Sequence, residues 1–100
     1  MHKIKVEVHW SEKNYCCGYT EEGVGTLFCT NKTLEGLKAD FVESLEFHVE
    51  GMLEDGDVVP KWLINNDYEI EYILDVSALL RSVEPYTTMA ALSRATGIIS

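Results

Sequence analysis

The stretch TLEGLKADFVESLEFHVEGMLED, from Thr33 to Asp55, constrains the fold more than any other part of the chain. Leu34, Leu37, Phe41, Leu45, His48 and Met52 recur every three or four residues, the spacing that aligns side chains on one face of an α-helix. Val42, Val49 and Leu53 are expected to widen that face to one side, and Glu43, Glu46, Glu50 and Glu54 fall on the opposite side. Such a helix runs for about 33 Å at about 1.5 Å per residue. It cannot stand alone, because amphipathic helices owe most of their stability to the surface they cover. Thr33 is a good N-cap. Glu35 lies in the first turn, where the helix dipole favours negative charge, and Asp55 and Gly56 close the far end. Gly36 costs the helix up to about 1 kcal/mol relative to Ala, which points to close packing there.

The flanking segments read as the sheet that receives this helix. From His2 to Trp10, Ile4, Val6, Val8 and Trp10 alternate with Lys3, Lys5, Glu7 and His9, the period of a half-buried strand. SEKN (11–14) is a turn, Tyr15 to Thr20 a second strand, Glu21 to Gly23 another turn, and Val24 to Thr30 a third strand. Connections this short favour an antiparallel meander. After the helix, GDVVPKWLINND is a crossover loop with a turn after Pro60, and Tyr68 to Leu74 alternates again as a fourth strand. A right-handed crossover through the helix places the fourth strand parallel to and beside the first. The expected fold is therefore α+β, a β-β-β-α-β unit with a mixed sheet in order 3-2-1-4 and one long helix on one face. Asp75 is expected to cap a short helix, VSALLRS. Residues 1–82 form the expected main domain. Residues 83–100 read as a hinge at Val83, Glu84 and Pro85, followed by a helix, TMAALSRAT, capped by Thr87 or Thr88 and closed by Gly97.

Composition narrows the class of function. The chain of 100 residues carries 17 acids against 8 bases, a net charge of −9. Nucleic-acid binding by this chain alone is not expected, because phosphate contacts need clustered Lys and Arg. An acidic surface suits a basic partner. Cys16, Cys17 and Cys29 are odd in number and two are adjacent, where a mutual disulfide is strained. That pattern favours a reducing compartment. MHKIKVEVHW has no apolar core of a signal peptide, and no run approaches the roughly 20 apolar residues that span a bilayer. A cytoplasmic location and no membrane association are expected.

Together IKVEVHW, NYCCGY, the turn glycines Gly23 and Gly25, KTLEGLK, ESLEFHVEGMLEDG and YEIEYILDVSALL, spread over about residues 3 to 81, give a pattern that resembles the N-terminal domain of HicB-type antitoxins. The long-helix block followed by DVSALL is its most specific part. The resemblance implies a partial RNase H-like fold and a role as an antitoxin. Such a protein binds a small basic HicA-type toxin, an mRNA-cleaving ribonuclease, and covers its catalytic histidine and RNA-binding surface. Self-association is also expected, with no cofactor and no catalysis by the antitoxin itself. Asn31 stands where many relatives have Gly; Asn also tolerates the left-handed conformation. MAALSRATGI is similar to the first helix and turn of a helix-turn-helix, with Leu92 and Ile98 as core residues, Ser93 facing the second helix and Gly97 in the turn. The sequence ends at Ser100, before a recognition helix, which supplies the base contacts. Operator binding and autorepression are therefore expected only of a form with a complete helix-turn-helix.

Several residue groups allow sharper and blander readings. The stripe Glu43, Glu46, Glu50 and Glu54 is the candidate partner-binding face; as a solvated helix face it needs no partner, and charge runs commonly face solvent. RNase H-like nucleases hold metal ions with carboxylates from the first strand, the helix and the end of the fourth strand, elements that here carry Glu7, Glu43 or Glu46, and Asp75. Two-metal sites need several convergent carboxylates, and Asp75 already has a role as a cap. His9, Cys16, Cys17, Cys29 and His48 lack any CxxC or HxxxH spacing, so no metal site is expected. His48 is expected at the boundary of the apolar face, hydrogen-bonded to a neighbour or covered by a partner. Tyr15, Tyr19, Phe28 and Trp62 belong either to the core or to an apolar patch on the uncovered sheet face. The alternatives to an antitoxin are a stand-alone interaction or ligand-binding domain of the same fold and, less favoured, a metal-dependent nuclease.

Overall fold

Alternating apolar residues make β1 (His2–Ser11) the centre of a four-stranded sheet in a computed structural model that describes residues 1–83. β2 (Asn14–Glu21) pairs antiparallel with β1, and β3 (Gly25–Asn31) pairs antiparallel with β2. The chain then enters α1 (Leu34–Glu54), passes through the short helix α2 (Lys61–Ile64), and returns as β4 (Tyr68–Leu74), parallel to β1 on its other side. The order is β3-β2-β1-β4, as expected from the sequence. A last helix, α3 (Val76–Ser82), begins at Asp75. The hinge at Glu84 and Pro85 and the expected helix-turn-helix start lie outside the described residues, and no helix among the described ones is long and apolar enough to cross a membrane.

One face of the sheet is dry. Ile4, Val6 and Val8 of β1, Tyr15, Cys17 and Tyr19 of β2, and Leu27 and Cys29 of β3 are buried with Leu37, Phe41 and Leu45 of α1. The Phe41 ring meets Tyr19 and Tyr72 edge-on at 5.9 and 6.2 Å, the T-shaped arrangement aromatic quadrupoles favour. α2 and α3 close the two ends of the core with Leu63 and Ala78.

Local chemistry sets the boundaries. The Thr33 hydroxyl accepts the Gly36 amide at 3.0 Å, the expected N-cap bond. At the other end Gly56 (φ +75°) and Asp57 donate to the carbonyls of Leu53 and Met52 at 3.2 and 2.9 Å, a Schellman closure that needs the left-handed residue. Gly36 is required by its neighbour: a Cβ there would lie 2.4 Å from the Asn31 Oδ1. Asn31 does not take the left-handed conformation that its likeness to Gly suggests. Its side chain is instead used, accepting the Thr33 amide and donating to Asp40, both at 2.9 Å.

Three sequence expectations need correction. Val42 and Leu53 do not widen the buried face of α1; they are exposed, because the sheet meets a narrower strip centred on Leu37, Phe41 and Leu45. Val24 belongs to the turn before β3, although its side chain is buried. The first turn is only Glu12 and Lys13, since Ser11 and Asn14 still pair across the hairpin.

Candidate functional site: the open sheet face and its β3 edge

α1 covers one face of the sheet, and the opposite face carries the outward residues of all four strands. Its central row is set by register: Phe28 of β3 faces Gly18 of β2, Gly18 faces Glu7 of β1, and Glu7 faces Ile73 of β4. Phe28 is 79% exposed and Ile73 43%. With no side chain on Gly18, the Phe28 ring lies across it; a Cβ at Gly18 would sit 3.5 Å from the ring. Lys5, Glu7 and Thr20 surround this apolar row. A large exposed aromatic set among mixed charges is a composition that partner-binding surfaces use.

The same Phe28 borders a second feature. β3 is an edge strand, and a groove runs between it and α1, lined by Thr26, Phe28, Thr30, Asp40, Glu43 and Phe47 among others. Phe47 is 76% exposed. Among the described residues no Lys or Arg lines this groove, and its formal negative charges are Asp40 and Glu43. His48 stands at its inner wall, where its ring Nε2 bonds the Val24 carbonyl and packs on Gly25. It is thus a boundary residue with a hydrogen-bonded neighbour.

The four glutamates of the acidic stripe are all exposed on α1. Glu43 lines the groove beside β3. Glu46 leans the other way, close enough to Tyr68 to help raise that phenol's pKa, although burial of the ring is the larger cause.

The elements that would carry nuclease carboxylates do not bring them together. Glu7 is on the open face, whereas Glu43 and Glu46 are on the solvent side of the helix that covers the other face. The Asp75 carboxylate accepts the Ser77 hydroxyl at 2.6 Å and the Ala78 amide at 3.0 Å, bonds that hold it below the usual carboxylate range. No group of three or more His, Cys, Asp or Glu among the described residues is arranged to hold a metal ion.

Two of the three cysteines are buried. Cys17 and Cys29 face each other in the core, and burial, then Cys29, pushes the Cys17 thiol up to about 12. A thiol so shifted is protonated at neutral pH and is a poor nucleophile. Cys16 lies on the open face, opposite His9. Tyr19 is also held protonated, by burial and by its 2.9 Å bond to Glu21.

Of the four aromatics left unassigned by sequence, Tyr15 and Tyr19 are core residues, and Trp62 stacks on His2 with ring centroids 3.6 Å apart. Phe28 alone of the four is largely exposed. The missed signal is the pairing of Phe28 with Gly18, invisible until the register is known. Compared with protein-family models, with curated proteins and with solved structures, the chain has no match.

Proposed function

We propose that this chain is the sheet domain of an antitoxin that inhibits a small basic, mRNA-cleaving toxin of the HicA type by binding and occluding it, without catalysis of its own. The observation that carries this reading is the exposed Phe28–Gly18–Glu7–Ile73 row on a sheet face that α1 does not cover. Such a surface suits the binding of a partner. The β-β-β-α-β order with β4 parallel to β1 agrees with the fold the HicB resemblance implies. A net charge of −9 suits a basic partner and speeds its encounter. Three free thiols suit the reducing cytoplasm, where such a pair would act. The protein self-associates in this reading, and represses its operon only in a form with a complete helix-turn-helix.

The test is a native pull-down of the tagged full chain from its own cells with the toxin gene expressed. The expected result is a small basic protein in stoichiometric amount that degrades mRNA when purified alone and loses that activity when the chain is added back. Recovery of the bait alone, or of a partner whose ribonuclease activity the chain leaves intact, sinks the antitoxin reading. The remaining interpretation would then be a stand-alone interaction domain.

A further inference from the structure

The β3 edge and the groove beside it have properties that the open face alone does not explain. An edge strand presents a row of unpaired backbone N–H and C=O groups, and proteins commonly blunt such edges with charge or Pro. The opposite edge, β4, carries Glu69 and Glu71. β3 reads GTLFCTN, with no charged residue and no Pro. Its flanks are equally unguarded: Phe28 stands on the open-face side and Phe47 on the helix side, both more than three quarters exposed. The formal charges on the groove wall are the carboxylates of Asp40 and Glu43.

We propose that β3 is a docking edge for an extended basic segment of a partner protein, which adds to the sheet as a fifth strand. Side chains of an added strand alternate between the two faces. Those on one side meet Phe28 with Thr26 and Thr30; those on the other enter the groove. The matching sequence therefore alternates. Arg or Lys points into the groove, its charge toward Asp40 and Glu43 and its aliphatic stem along Phe47. Val, Thr or another β-former points toward Phe28. Backbone hydrogen bonds supply affinity, and the groove supplies specificity, as in other cases of strand addition. A second copy of this chain fits the edge poorly. Pairing β3 with β3 would bring two acidic grooves and two chains of charge −9 together. The proposal rests on the antitoxin reading only in taking the partner to be basic.

The test is a titration of the ¹⁵N-labelled full chain with a nine-residue peptide alternating Arg with Val and Thr, followed by amide chemical shifts. Saturable shifts confined to Gly25–Asn31 and the groove side of α1 are expected. Binding should weaken about tenfold in Glu43→Lys, a rim-charge reversal on an exposed helix position, and similarly in Phe28→Ala. A matched peptide with Glu in place of Arg should not bind. Shifts centred on β4 or on Ile73, no saturable binding of the Arg peptide, or equal affinity for wild type and Glu43→Lys would each overturn the proposal. So would a dimer in the free protein with β3 amides protected from exchange. These outcomes are separable from the antitoxin reading. A pull-down that recovers an inhibited toxin equally well with Glu43→Lys overturns edge docking and leaves the antitoxin standing, because Glu43 lies on the groove and not on the open face.

Discussion

At the scale of single residues, Asn31 and Gly36 show how one position dictates another. The Asn31 amide ties the end of β3 to the start of α1 by bonding Thr33 and Asp40. It occupies the space where any side chain at position 36 would begin. Helix propensity alone says that Gly36→Ala should stabilise α1 by up to about 1 kcal/mol. The contact of 2.4 Å says the reverse, because Asn31 must leave and give up its hydrogen bonds, each worth roughly 1 kcal/mol or more. A net loss of about 1–2 kcal/mol is expected in urea denaturation. If Gly36→Ala raises the midpoint, Asn31 does not hold this place in solution. The same residue illustrates what sequence reading could reach. The helix start was legible from Thr33, but the use of Asn31 was not, since an Asn before an N-cap fits a left-handed turn just as well.

At the scale of elements, α3 is held by a relay that runs from sheet to helix. The Trp10 amide donates to the Ser77 hydroxyl at 2.9 Å, and that hydroxyl donates to Asp75, which also accepts the Ala78 amide. Asp75 in turn donates its own amide to the Val8 carbonyl, so the cap continues the β1–β4 ladder. Because these bonds favour the ionised carboxylate, its pKa is lower folded than unfolded. The sign follows: the stabilisation is present above the unfolded pKa of the carboxyl and is lost as pH falls through the lower folded value. Asp75→Ala should therefore lower the Tm near pH 7, and the gap to wild type should narrow as the pH is taken well below 4, the range around the unfolded pKa. A gap that stays constant from pH 7 to pH 2 would show that the carboxylate charge plays no part in the cap. The cap was legible from Asp75 preceding VSALLRS; the link back to Trp10 was not, because it joins residues 67 apart in sequence.

At the scale of the whole molecule, the sheet order was legible and the surface it exposes was only half so. β1 and β4 alternate cleanly, which fixed their faces, and the long helix fixed the crossover. β2 and β3 alternate just as cleanly in burial, but their outward positions hold Cys16, Gly18 and Phe28, which hide the period. The four glutamates of the acidic stripe were legible as one helix face; that β3 lies beside α1, so that Glu43 lines the groove, was not. Strand placement also sets a hierarchy of stability. β1 is paired on both sides, and its Ile4, Val6 and Val8 are at most 1% exposed. Its amides should open to solvent only when the whole protein unfolds, whereas the outward amides of β3 need only local fluctuation. Native-state hydrogen exchange on the isolated chain should show β1 amides exchanging at the global unfolding free energy and alternate β3 amides exchanging far faster. Adding a partner that docks on β3 should slow those β3 amides and leave the β1 limit changed only by the binding free energy. If every β3 amide of the isolated chain is as protected as those of β1, the edge is already covered in solution, and the partner must meet the open face around Phe28 and Ile73 instead.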